Sequence, residues 1–155
     1  MTTNKEIRSH CAVNYGVELF GDRWSLLIVR DIVFSGKKTY GEFLKSEERI
    51  ATNVLASRLA FLEDQGILSR TPSPDDGRKD FYFLTEKGLD LIPIVLNIVL
   101  WSAQHDPKSN VRHQKKFIAR LLQNPVQMSD EVRTLVRNGG CIFPNADGTT
   151  RDAAG

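Results

Sequence analysis

Two cysteines in 155 residues, Cys11 and Cys141, are too few for a disulfide framework. The chain is read as one working in a reducing, cytoplasmic setting, and at this length a core closes without staples. Histidine is also scarce. His10, His105 and His113 are scattered, no Cys-x-x-Cys pair occurs, and His10 beside Cys11 lacks metal-ligand spacing. A phosphate-cradling glycine loop and a Gly-x-Ser-x-Gly elbow are missing too. Neither an enzyme nor a cofactor is implied. Long apolar runs are absent: the longest, Leu91 to Trp101, is broken by Pro93 and Asn97. It falls short of the roughly 20 residues a bilayer requires. Met1 to His10 carries no apolar signal core, so no membrane partner is expected. Charge of one sign is lacking as well. The net charge is +2, and between Lys37 and Asp80 eight Lys/Arg face eight Asp/Glu. Strong nucleic-acid binders often show a basic excess, so a DNA-binding role here requires the charges to be sorted onto different faces.

What is present is ordinary globular composition, 41% hydrophobic and 26% charged, arranged with helical periodicity. Cys11 to Phe20 reads as a first helix with Val13, Val17 and Phe20 on one stripe. Gly21 is expected in the left-handed position past its end. Asp22 is the expected N-cap of a second helix, Arg23 to Phe34, apolar on most sides. Thr39 caps a short third helix, Tyr40 to Ser46, and Glu47 to Ala51 reads as a turn. A fourth helix runs from about Asn53 to Gln65, closed by Gly66. Its Leu55, Leu59 and Leu62 fall on one line, leaving Asn53, Ala56, Ser57 and Ala60 on the other side. Ile67 to Arg70 and Phe81 to Leu84 read as the strands of a hairpin with a polar tip, Ser73 to Lys79. Thr85 caps a fifth helix reaching about His105 with Pro93 inside it, where it should bend the helix. A sixth helix spans roughly Ser109 to Gln123, and from Asn138 the chain reads as a loosely ordered tail.

The order short helix, turn, helix, hairpin, long helix is the topology of a winged helix. The fold class is therefore mainly α with a small β-hairpin: a winged helix-turn-helix with additional N- and C-terminal dimerisation helices. Its expected divisions are residues 10–105 for the DNA-binding domain, 106–137 for a helical extension and 138–155 for the tail. A helix fits the major groove if the side facing the bases is small and polar. Asn53 and Ser57 suit base edges and Thr52 starts the helix; the other reading of the three is a solvated face or a helix cap. Arg58 is placed to reach a phosphate or guanine, or else to pair with Glu63 or Asp64. Thr39 and the amides after it would face phosphate, and Arg78 and Lys79 at the hairpin tip would touch a neighbouring minor groove or its phosphates, or else stay solvated beside Asp75, Asp76 and Asp80. The fifth helix is apolar on two sides, through Leu89, Ile92, Leu96 and Val99 and through Leu91, Ile94, Val95 and Ile98. One side packs on the core; the other calls for a second copy of the chain or for the sixth helix.

Several stretches carry a family likeness. Cys11-Ala12-Val13-Asn14-Tyr15, Gly21-Asp22-Arg23-Trp24-Ser25-Leu26-Leu27-Ile28, Tyr40-Gly41-Glu42-Phe43 and Ile50-Ala51-Thr52-Asn53-Val54-Leu55 are four of them. Arg58-Leu59, Leu62-Glu63, Gly66-Ile67-Leu68 and Tyr82-Phe83-Leu84-Thr85-Glu86-Lys87-Gly88 continue the match. Together they resemble the HxlR family of winged-helix regulators over about residues 10–105. The resemblance implies a homodimeric regulator of transcription that binds double-stranded DNA. The helix over about 52–64 enters the major groove, and the wing over about 71–81 lies on the flanking groove or backbone. Two departures stand out: Ala51 where the family often has serine, and Asn53 where it often has a basic residue. Thr52 would then cap the helix in place of residue 51. Several relatives sense oxidants or electrophiles through a cysteine near Cys11, which would make Cys11 a redox sensor; the other reading is a small buried hydrophobe. Two further functions remain open. One is a winged-helix dimer that binds another protein. The other is a regulator gated by a small apolar effector held between the fifth helix and the core, with Trp24, Phe61 and Trp101 lining the pocket or serving as plain core.

Overall fold

The structure, a computed structural model, describes residues 6–144. The helix α1, Ala12–Phe20, leads into α2, Ser25–Ser35, the central helix of the fold. Its Ile28, Val29, Ile32 and Val33 are all buried. Asp22 sets its start: the carboxylate accepts the backbone N–H of Trp24 and Ser25 at 2.9 and 3.0 Å and the Ser25 hydroxyl at 2.5 Å. Gly21 does not take the left-handed conformation the sequence reading assigned it; its φ is −78°. A methyl there would stand 2.5 Å from the Val17 carbonyl oxygen, so crowding, not backbone sign, favours glycine.

Next come α3, Tyr40–Leu44, and α4, Thr52–Asp64. As read from sequence, Thr39 caps α3, in a reciprocal arrangement with Glu42: the Thr39 hydroxyl accepts the Glu42 N–H while the Glu42 carboxylate accepts that of Thr39. The α4 helix buries Leu55, Leu59 and Leu62 and ends at Gly66, whose φ of 72° suits a residue without Cβ. Strands β1, Leu68–Pro72, and β2, Asp80–Leu84, pair antiparallel with Leu68 opposite Leu84 and Pro72 opposite Asp80. The Tyr82 N–H donates to the Lys38 carbonyl at 2.8 Å, tying the hairpin to the link between α2 and α3.

The expected fifth helix is two helices, α5 Glu86–Leu89 and α6 Ile92–His105. Thr85 caps α5 by accepting the Gly88 N–H. Pro93 lies in the first turn of α6, where no intrahelical partner for its missing N–H is needed, so it starts a helix and bends none. The expected sixth helix is a 3-10 turn, Asn110–His113, followed by α7, Lys115–Gln123. Beyond it lies α8, Pro125–Arg137, within the extension but not separately read from sequence. Leu121, Met128 and Val132 bring these helices into the same core as α2 and α6. The tail expected from Asn138 is docked at its beginning. Ile142 and Phe143 donate their N–H groups to the carbonyls of Val33 and Phe34, and the Phe143 ring stacks on Phe34 at 5.9 Å. Two apolar side chains at 142 and 143 account for this. The remainder of that expectation, 145–155, lies outside the described residues.

Candidate nucleic-acid interface

The outward face of α4 is bare. Thr52, Asn53, Ala56, Ser57 and Ala60 are all exposed, while the leucines of the opposite stripe are buried. The apolar stripe fixes this: three leucines three and four residues apart anchor one side and leave small polar groups standing outward. The N-cap is Ala51, not Thr52, and no side chain caps the helix. Thr52 is the first helical residue, and its carbonyl accepts the Tyr40 hydroxyl at 2.9 Å, joining α3 to α4. With no capping side chain, the amides of Thr52, Asn53 and Val54 are left unpaired within the helix, at its positive end.

The remaining site residues divide. Arg58 is turned toward its own chain: its guanidinium lies 3.6 Å from the Asp22 carboxylate and 4.7 Å above the Phe61 ring. The sequence reading named Glu63 or Asp64 as structural partners; Glu63 instead pairs with Arg70 at 3.3 Å. Burial opposes ionisation of Asp22, but the hydrogen bonds from Ser25 and Trp24, with the charge of Arg58, hold its pKa below the ordinary aspartate value. The Thr39 hydroxyl is occupied by the cap, and the Glu42 carboxylate covers the amides of Lys38 and Thr39. At the hairpin tip Arg78 pairs with Asp76 at 3.1 Å. Lys79 makes no ion pair among the described residues and is exposed. Sequence reasoning passed over Lys45 and Arg49. Both are exposed, without an ion pair among the described residues, in the turn that feeds α4. Arg49 adopts φ 55°, unusual for a side chain with Cβ. A basic pair just before the helix start was the available signal.

A second surface lies on α1 and α6. Val13 and Val17 are exposed on α1, and Ile94, Ile98 and Trp101 form a stripe on α6 with the His105 ring 4.9 Å from that of Trp101. The other face of α6 is covered by α8 and the core. The aromatics proposed to line an effector pocket do not gather: Trp24 and Phe61 pack against the core, and Trp101 is 66% exposed. Cys11 is exposed at the start of α1, which overturns its reading as a buried hydrophobe. Hydrogen bonds from the backbone of Asn14 and Val13 lower its thiol pKa. Among the described residues no helix is long and apolar enough to cross a membrane.

A helix-turn-helix followed by a two-stranded wing, with a small polar face on its second helix, defines the winged-helix class of transcription regulators. The chain belongs to the HxlR-like helix-turn-helix family, whose profile matches residues 19–110. It is 33% identical over 97 residues to the uncharacterized HTH-type transcriptional regulator Rv3095 of Mycobacterium tuberculosis, a match spanning 63% of this chain and 60% of that one. The HTH-type transcriptional regulator YodB of Bacillus subtilis is 32% identical over 99 residues, across 63% of this chain and 88% of the relative. The reduced form of YodB aligns in structure with TM-score 0.51 at 27% identity, over 66% of this chain and all of that one. The crystal structure of PA1607 gives TM-score 0.60 at 36% identity over 66% of this chain and 72% of its own. Rv3095 and YodB both carry the name of HTH-type transcriptional regulator.

Proposed function

We propose that the chain acts in the cytoplasm as a homodimer that binds double-stranded DNA and regulates transcription. The bare face of α4 carries this reading. Thr52, Asn53 and Ser57 face base edges, and Ala56 and Ala60 keep the helix close to the groove. The unpaired amides at the start of α4 and the Arg49 side chain face phosphate. Lys79 and Arg78 on the wing touch the flanking backbone, with Arg78 exchanging Asp76 for phosphate. Arg58 sits at the edge of the interface and fixes α4 against the α1–α2 turn through Asp22. Thr39 holds α3, which carries α4 through Tyr40. Pairing does not leave a basic excess, since Glu47, Asp64 and Asp75 are exposed as Lys45, Arg49 and Lys79 are; the reading rests on placement, with Lys45 and Arg49 in the turn before α4 and Lys79 on the wing. The second copy seats on the apolar stripe of Ile94, Ile98 and Trp101 together with α1.

The test is a mobility shift with genomic DNA fragments across a salt series, with sedimentation of the same sample. A dimer whose affinity falls steeply with salt is expected, because bound phosphates release counterions. No shift with any fragment at low salt would replace this reading with a protein-interaction module built on the same dimer. A second reading concerns Cys11, exposed at a helix start with its pKa lowered. It makes the DNA affinity sensitive to oxidants or electrophiles. Loss of DNA binding on treatment with diamide, absent in Cys11→Ser, is the expected result; identical responses of the two proteins exclude Cys11.

A further inference from the structure

A cleft of about 780 Å³ opens between α2, α6, the turn joining α3 to α4, and the first part of the C-terminal extension. Leu27, Phe34, Val95, Val99, Val111 and Phe143 give it apolar walls. Val111 and Phe143 lie beyond the stretch matched by the family profile, residues 19–110. Charge is gathered at one end. Asp31, 5% exposed on α2, accepts from the Arg30 guanidinium at 2.8 and 3.0 Å, from the Lys37 ammonium at 3.4 Å, and from the Ser46 hydroxyl. The outer edge of Arg30 holds Glu48 in a two-pronged pair at 2.5 and 2.9 Å. Lys45 and Glu47 stand at the same end.

The two carboxylates on Arg30 differ in how readily they leave. Asp31 is buried with three partners, and removing any of them strands a charge. Glu48 is far more exposed than Asp31, 37% against 6% for the side chain, so of the two it is the one water can take back. A guanidinium fork already matched to one carboxylate accepts another in the same geometry. An ammonium ligand finds Asp31 already saturated and is left with Glu47, exposed at the rim where the pair is screened by water.

We propose that this cleft binds a small carboxylic acid with an apolar tail, its carboxylate taking the place of Glu48 on Arg30 and its tail lying between α2 and α6. Glu48 is four residues before Thr52, in the turn that sets where α4 begins. Releasing it loosens the tether between α2 and the recognition helix, so the acid changes DNA affinity. That last step rests on the DNA-binding reading; the binding of the acid does not.

Calorimetry on the full chain tests the site, with octanoate and octylammonium at matched concentration as probes. Octanoate is expected to bind and octylammonium to bind at least about tenfold more weakly, since the exchange serves only an acid. Glu48→Gln removes the competitor. If Glu48 occupies Arg30 about nine-tenths of the time, octanoate should bind about tenfold more tightly to the variant. A gain of affinity cannot come from misfolding. Ser102→Phe narrows the apolar part without touching the ion pairs and should abolish octanoate binding while the melting curve stays cooperative. Equal binding of the two probes, no binding of octanoate, or unchanged affinity in Glu48→Gln overturns the proposal. Fluorescence anisotropy with labelled DNA then reads the consequence separately: a chain that binds octanoate but no DNA disproves the regulator reading and leaves the site standing.

Discussion

Helices α4 and α6 bury one face each in the same core, yet their free faces are opposites. On α4 the free face is Thr52, Asn53, Ala56, Ser57 and Ala60, small and polar. On α6 it is Ile94, Ile98 and Trp101, large and apolar. A small polar face loses little by meeting water and suits a highly charged, hydrated partner. A large apolar one gains roughly 25 cal/mol for each Å² removed from water and suits a second protein surface. One construction principle, a helix half sunk in a core, thus serves two kinds of partner, and the free side chains decide which.

The comparison can be broken from either side. Ile98→Glu should have the largest effect. Placing a carboxylate in the apolar stripe should give monomers in sedimentation at micromolar concentration. DNA affinity should fall on the order of a hundredfold, because two half-sites are no longer read together. A variant that stays dimeric removes α6 from the interface. Ser57→Glu is the converse: a carboxylate carried into a groove walled by phosphates costs about 2–3 kcal/mol of binding and should leave dimerisation and the melting temperature unchanged. If dimerisation suffers as well, the two faces are not separate.

Smaller changes sharpen the account of α4. Asp22→Asn removes the charge that holds Arg58 and the start of α2, and should cost about 1 kcal/mol at neutral pH. The pKa of Asp22 is depressed in the folded chain, so its contribution is present above the ordinary aspartate value and lost as pH falls through the folded one. Urea midpoints of variant and wild type should converge on acidification; a constant gap would show the charge to be irrelevant. Ala51→Ser supplies the missing cap and should stabilise the chain by about 0.5–1 kcal/mol in thermal melts. Lys79→Ala should weaken all DNA sequences about equally, a few-fold, and reduce the salt slope by about 1; a sequence-dependent loss would make Lys79 a base reader.

Much of this was legible beforehand because it is periodic or local. The leucine stripe of α4, the Thr39 and Thr85 caps and the hairpin follow from spacing and turn chemistry. The misreadings, one excepted, have tertiary causes. Pro93 reads as a bend in the sequence because the chain between Thr85 and His105 is one periodic run. The break at Asp90 and Leu91 is the one local cause among them: in a continuous helix the Pro93 ring would clash with the Leu89 carbonyl, so a new helix starts just ahead of the proline. Arg58 was assigned neighbours close in sequence, but its partner Asp22 lies in the α1–α2 turn. The docking of Ile142 and Phe143 depends on Val33 and Phe34, more than a hundred residues away in the chain.

The sequence alone determined which residues turn inward on each helix, where most helices begin, and the order of elements that makes a winged helix, because these depend on periods of three to four residues and on neighbouring side chains. Tertiary structure decided which side of α6 stays bare, which acid holds Arg58, and that a cleft ringed by Arg30 and Glu48 exists. Such features are meetings of distant segments, and local spacing carries no information about them.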